Sequence, residues 1–136
     1  MRRRFLICCL AFPLCLFLYS CSSTQKIRAI QATAPTYPRI AQLAHVTGDI
    51  VVAVEITRDG KVSGAQVVSG IALREIRQVS LEAAKEWVFN SSSKDSRRYQ
   101  ITFSFTVAGE PNAEGEKVIF LPPDHISVTV HPIQLE

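Results

Sequence analysis

Apolar and polar residues alternate most cleanly over "YQITFSFTV". Tyr99, Ile101, Phe103, Phe105 and Val107 fall on one side, and Gln100, Thr102, Ser104 and Thr106 on the other. A sheet strand with one face packed on helices and one face wet has this pattern. The same period of two runs through Ile50, Val52, Val54 and Ile56. That strand leads to Asp59-Gly60, a hairpin turn pair because both positions tolerate positive φ. The return strand is weaker, carrying Val62, Ala65, Val67 and Val68, and Gly64 within it predicts a bulge. Two segments switch to helical spacing. In "PTYPRIAQLAHVTGD", Ile40, Leu43 and Ala44 recur at i, i+3 and i+4, Pro38 suits the first turn, and Gly48 stops the helix. In "ALREIRQVSLEAAKEWVF", Leu73, Ile76, Ala83, Ala84 and Trp87 share a face. Toward the C-terminus, "KVIFLP" and "HISVTVHPIQL" predict two short strands with Val118, Phe120, Ile126, Val128 and Val130 as their apolar residues; Pro132 makes the end an edge or tail. The pattern therefore predicts an α+β fold. Its small antiparallel sheet has three core strands plus one or two C-terminal strands, with two helices packed on one face.

The N-terminal stretch belongs to no such element. Arg2, Arg3 and Arg4 precede a 15-residue apolar run over residues 5–19, the form of an export signal. The run is shorter than the ~20 residues that a spanning helix needs, and Pro13 interrupts it. Leu18-Tyr19-Ser20-Cys21 then resembles a bacterial lipobox, with an aliphatic residue at −3, a small one at −1 and the cysteine to be lipidated. Tyr19 is bulkier than the usual residue at −2. An uncleaved short anchor is the competing reading, and the three arginines also resemble a twin-arginine signal. The expected organisation is a signal peptide over 1–20, the lipidated cysteine and a polar tether over 21–35, a domain over 36–108, and a C-terminal strand extension over 109–136. Ser22 follows Cys21, and the absence of Asp there favours the outer membrane's periplasmic leaflet by the familiar lipoprotein sorting rule.

All four cysteines, Cys8, Cys9, Cys15 and Cys21, lie in this stretch. A disulfide framework or a zinc site would need them distributed around a folded loop. His45, His125 and His131 are far apart in sequence and have no cysteine nearby, so no metal or cofactor is expected. The formal charge of +3 comes from Arg2–Arg4 alone; beyond them, twelve basic residues face twelve acidic ones. A neutral body without a basic stripe does not suit nucleic acid. Ser91-Ser92-Ser93 with Asp95 lack the glycines of a nucleophile elbow, and no catalytic residue is expected.

Tyr37-Pro38 before a short helix, Gly48 opening a strand, Asp59-Gly60 between paired strands, and Trp87-Val88-Phe89 closing the second helix form an ordered set. With these gaps it resembles the C-terminal domain of TonB-family energy transducers, over roughly residues 35–107. Each of these positions has a structural reading: Trp87 and Phe89 as core anchors, Asp59-Gly60 as a turn, Tyr37 as a packing residue or a partner contact. The resemblance implies a protein-interaction module. An extended peptide, for instance from an outer-membrane transporter, adds to the sheet edge along the strand after the second helix. Here that implies Tyr99, Gln100, Ile101, Thr102, Phe103, Ser104 and Phe105 as the partner-binding residues. Strand exchange between two copies would satisfy the same edge, and residues 117–135 could occupy it from within the chain. The tether is too short to cross a periplasm, so energy transduction is not expected. The alternative is a structural or envelope-assembly lipoprotein with no peptide capture.

Overall fold

The two alternating runs become the centre of a five-stranded sheet, as their fully apolar inner faces require. The structure is a computed structural model and describes residues 26–90 and 97–135. The elements are β1 (Ala29–Gln31), α1 (Arg39–Leu43), β2 (Gly48–Ile56), β3 (Val62–Gly70), α2 (Arg74–Lys85), β4 (Val88–Phe89), β5 (Arg97–Val107), β6 (Glu116–Leu121) and β7 (His125–Val130). The main sheet has the order β3-β2-β5-β7-β6, and β1 and β4 form a separate two-stranded ribbon. Cys21, the export signal and Ser91–Ser93 lie outside the described residues.

The core lies between the sheet and α2. Ile50, Val52, Val54 and Ile56 of β2 and Ile101, Phe103 and Phe105 of β5 are buried, together with Ile76, Ala83 and Ala84 of α2. Ser80 is also buried on the helix and its hydroxyl donates to the Ile76 carbonyl at 2.7 Å, so the helix itself satisfies it. Trp87 and Phe89 follow α2 directly. The Trp87 ring meets Phe89, Phe103 and Phe120 with centroids 5.9, 6.1 and 6.0 Å apart. The α+β class with two helices holds.

Three details differ from the sequence reading. The sheet is mixed, since β7 runs parallel to β5 from Thr102↔His125 to Val107↔Val130, whereas β6 pairs antiparallel with β7. The inner place goes to β7 because Ile126, Val128 and Val130 form a strict buried stripe, whereas β6 is exposed throughout. In α1 the buried residue is Ala41, with Ile40 and Leu43 exposed. The helix has five residues and is held by Tyr37 ahead of it, so no apolar stripe develops. Finally, the segment read as a tether is docked from Lys26 onward. Asn90 N–H donates to the Arg28 carbonyl at 2.9 Å, Arg28 N–H donates to Asn90 Oδ1 at 2.8 Å, and Trp87 Nε1–H donates to the Thr33 carbonyl at 2.9 Å. A buried donor needs a partner, and this segment supplies one to the Trp87 indole.

Gly60 does more than turn a hairpin. Its φ is +84°, and a Cβ there would lie 1.9 Å from the Phe89 carbonyl oxygen. Phe89 N–H donates to the Gly60 carbonyl at 2.7 Å, and Lys61 bridges to Val88. Thus the β2–β3 turn is clamped onto β4. Gly60→Ala must move one backbone off the other and also strain φ, so it is expected to lose about 3 kcal/mol. Chemical denaturation of Gly60→Ala beside Asp59→Ala, which leaves the close approach intact, checks this.

Candidate functional site: the edges of the sheet

Strand addition needs unpaired main-chain N–H and C=O groups along a regular edge. On one side β5 is paired with β2 over Arg97–Phe105, from Gly48↔Phe105 to Ile56↔Arg97. On the other side β7 takes Thr102–Val107. Thr102, Phe103, Ser104 and Phe105 therefore have strand partners on both sides, and the edge expected there is filled by the chain's own C-terminal hairpin. Tyr99, Gln100 and Ile101 lie upstream of the β7 ladder. Tyr99 packs its ring on Phe89 at 5.5 Å and donates its hydroxyl to Asp124 Oδ2 at 3.2 Å. Burial raises the Tyr99 pKa, and the charge of Asp124 and the bond to it raise it further.

Contacts from every side hold the hairpin. Ile126, Val128 and Val130 sit in the core, and Phe120 stands edge-on to Trp87. Glu116 Oε1 accepts from the Tyr37 N–H at 3.2 Å, and Gln42 Nε2 donates to the His131 carbonyl at 2.6 Å. Tyr37 is buried, with its ring edge-on to Phe105 at 5.3 Å and its hydroxyl donating to the Val46 carbonyl. Burial raises its pKa. Tyr37 thus packs inside the domain, and Pro38 behind it opens α1.

On the wet face, β7 is tied back to the centre. Ser104 Oγ donates to Asp49 Oδ1 and lies 2.7 Å from His125 Nε2. In a hydrolytic triad the imidazole stands between carboxylate and hydroxyl; here the hydroxyl stands between the other two. The arrangement is a cross-strand bridge over β2, β5 and β7. His125 and His131 lie at opposite ends of β7 rather than on one site. Among the described residues no three His, Cys, Asp or Glu side chains gather to hold a metal. Asp59 keeps to its turn: the Thr57 hydroxyl bonds its carboxylate and, with its own backbone N–H, lowers its pKa.

Two outer edges remain, and they are unequal. The β3 edge is broken by two register shifts, between Val51/Val52 and between Glu55/Ile56 of its partner. The second confirms a bulge beside Gly64. Bulges twist an edge away from further pairing. The β6 edge has none; its register runs unbroken from Glu116↔Val130 to Leu121↔His125. Val118, Ile119, Phe120 and Leu121 are 48, 39, 41 and 47 % exposed. From their partners, Val118 and Phe120 lie on the helix face, and Ile119 and Leu121 on the wet face. At the end of β6 lies an open groove of about 490 Å³ between Phe120, Pro122 and Pro123 and the segment from Lys26 to Ala29. The residues 118–121 were legible as a strand but not as a site. A run of four apolar residues in "KVIFLP", where a one-faced strand would alternate, is the signal that marks them.

The match to a known family covers the part of the chain before this hairpin. The family model "Gram-negative bacterial TonB protein C-terminal" matches residues 33–108. Protein TonB of Xanthomonas campestris pv. campestris strain B100 is 28% identical over 64 residues, which are 47% of this chain and 29% of that protein. Protein TonB of strain ATCC 33913 of the same organism matches with the same figures. The matched segment is thus under a third of the length of these relatives. The solution NMR structure of the Pseudomonas aeruginosa TonB CTD superposes with a TM-score of 0.53 at 24% identity, covering 65% of this chain and 94% of that one. It supports the fold, while β6 and β7 lie beyond the family match. With more than half of its residues matched by the family model, the chain belongs to the family of the Gram-negative bacterial TonB protein C-terminal.

Proposed function

We propose that this chain is a protein-interaction module of the bacterial envelope, lipid-anchored through Cys21 and facing the periplasm. It accepts an extended partner segment by strand addition at β6. The observation that carries this reading is the unbroken, apolar and unpaired β6 edge. Family membership supports a protein partner in the envelope, and an N-terminal segment of an outer-membrane transporter is the first candidate. The edge implied by the family resemblance, Tyr99–Phe105, is largely occupied, so the strand-accepting position moves outward by the width of one hairpin. Main-chain bonds supply affinity in such a mode, and alternate side chains supply selection. A second reading, a structural or envelope-assembly lipoprotein without peptide capture, draws on the burial of β7 against β5.

Fluorescence anisotropy with extended transporter-derived peptides separates the two. Under the proposal binding saturates, weakens at least tenfold in Val118→Lys, and is unchanged in Gln66→Lys on β3. Absence of binding to every peptide would leave the structural reading. The anchor has a separate check: Cys21→Ala should move the chain out of the membrane fraction and remove the lipid mass.

A further inference from the structure

We propose that the end of the sheet around the groove between the Lys26–Ala29 segment and Phe120, Pro122 and Pro123 docks on an anionic lipid surface. This docking rests on the reading of Cys21 as the point of lipid attachment and assigns the face that the anchor turns toward the bilayer. Burial alternates along the segment that follows the anchor. Ile27 and Ala29 pack against the core, and Lys26, Arg28 and Ile30 are exposed, Ile30 at 71%. Two cations and an apolar side chain therefore point outward together. Phe120, Pro122 and Pro123 stand across the groove, with the exposed Leu121 between them in sequence. Apolar side chains that enter the headgroup layer, beside cations that stay at its charged surface, are what an anionic bilayer binds.

The pairings bring further cations to the same end. The β2–β3 turn carries Arg58 and Lys61 and is held on β4 by the Phe89 bond to Gly60. The next residue, Asn90, is bonded to Arg28. The carboxylates at this end are engaged: Glu55 by Arg98 at 3.5 Å, Asp59 by the Thr57 hydroxyl and Asp124 by the Tyr99 hydroxyl. Asp49, Glu110, Glu114 and Glu116 lie toward the other end of the strands. Covalent reach favours lipid over an acidic peptide as the occupant. Lys26 is the fifth residue after Cys21, and five steps of at most about 3.6 Å keep it within about 18 Å of the attached lipid. β6 then runs toward the bilayer, with its Glu116 end away from it.

The test uses the chain from Ser22, which retains every core residue and carries neither lipid nor cysteine, in cosedimentation with vesicles at low salt. One Lys or Arg beside an anionic surface changes affinity by about fivefold. The chain should bind vesicles of phosphatidylcholine and phosphatidylglycerol in equal parts at least about tenfold more tightly than phosphatidylcholine alone. Lys26→Glu combined with Arg28→Glu should weaken that binding by more than about tenfold. Arg74→Glu combined with Arg77→Glu, on the exposed face of α2, should leave it unchanged. Ile30→Trp should shift its emission to the blue on docking, and Gln66→Trp on β3 should not. Equal binding to both vesicles, or binding that follows Arg74 and Arg77 instead, overturns the proposal. Absence of vesicle binding also overturns it, and if Lys26→Glu with Arg28→Glu then weakens an extended peptide, the groove belongs to the peptide site. A chain that is lipidated in cells but ignores the vesicles without its lipid ends the docking face and leaves the anchor standing. A chain without lipid on Cys21 in cells that still binds the vesicles ends the anchor and leaves the face.

Discussion

Ending the chain after Ala108 should destabilise the domain by more than about 5 kcal/mol and leave it largely unfolded in buffer. The deletion removes Ile126, Val128 and Val130, each no more than 5% exposed, and burial of such side chains contributes about 1.5–3 kcal/mol apiece. It also strips one ladder of hydrogen bonds from Thr102–Val107 and uncovers the side of Trp87 that Phe120 covers. A domain of this size has about 5–15 kcal/mol in total, so the loss is of the same order as the whole. Far-UV circular dichroism and urea titration of residues 22–108 beside the longer chain measure it. A cost under about 2 kcal/mol would mean that the hairpin is an appendage. The edge of β5 could then be vacated, and the partner-binding position would return to Tyr99–Phe105. The stability of the truncated chain therefore decides between the two edges as well as testing the packing.

Trp87→Ala should cost about 4–5 kcal/mol, near the upper end for loss of a buried aromatic residue. Trp87 is 1% exposed and joins three parts of the molecule that are distant in sequence: Phe89 beside it, Phe103 on β5 and Phe120 on β6. Its indole N–H also holds the N-terminal segment at Thr33. Trp87→Phe keeps most of the apolar volume and loses that donor. It should cost a smaller amount, about 1–3 kcal/mol, and loosen the segment around β1 first. Circular dichroism must report both variants, since Trp87 is the sole tryptophan. Hydrogen exchange at Asn90, which donates to Arg28, should rise in Trp87→Phe before global unfolding does. If Trp87→Ala costs under about 2 kcal/mol, the three contacts do not form one core.

The alternating strands were legible because a half-buried sheet imposes a period of two that few other structures produce. The residues chosen for the inner faces of β2 and β5 are buried, Tyr99 and Val107 at the two ends of β5 only partly. The second helix was legible for the matching reason at period 3.6, with Ile76, Ala83 and Ala84 buried. Local pattern failed where a neighbour distant in sequence decided the outcome. In α1 the anchoring side chain is Tyr37, ahead of the helix, so Ile40 and Leu43 are exposed despite their spacing. The polar segment before Pro35 has no periodicity, yet β4 and the Trp87 indole recruit it as a hydrogen-bond partner.

The same division runs through the functional reading. Residue types and their spacing were enough to set the fold class and the family. These depend on periodicity, turn chemistry and a short ordered set of anchors, all local in the chain. Which edge is open depended on the direction and order of the last two strands. That choice follows from burial: β7 carries a continuous inward stripe and is drawn against β5, and β6, apolar on both faces, is left outside. Only the folded sheet compares the two strands for one place beside β5, and the loser of that competition became the exposed edge.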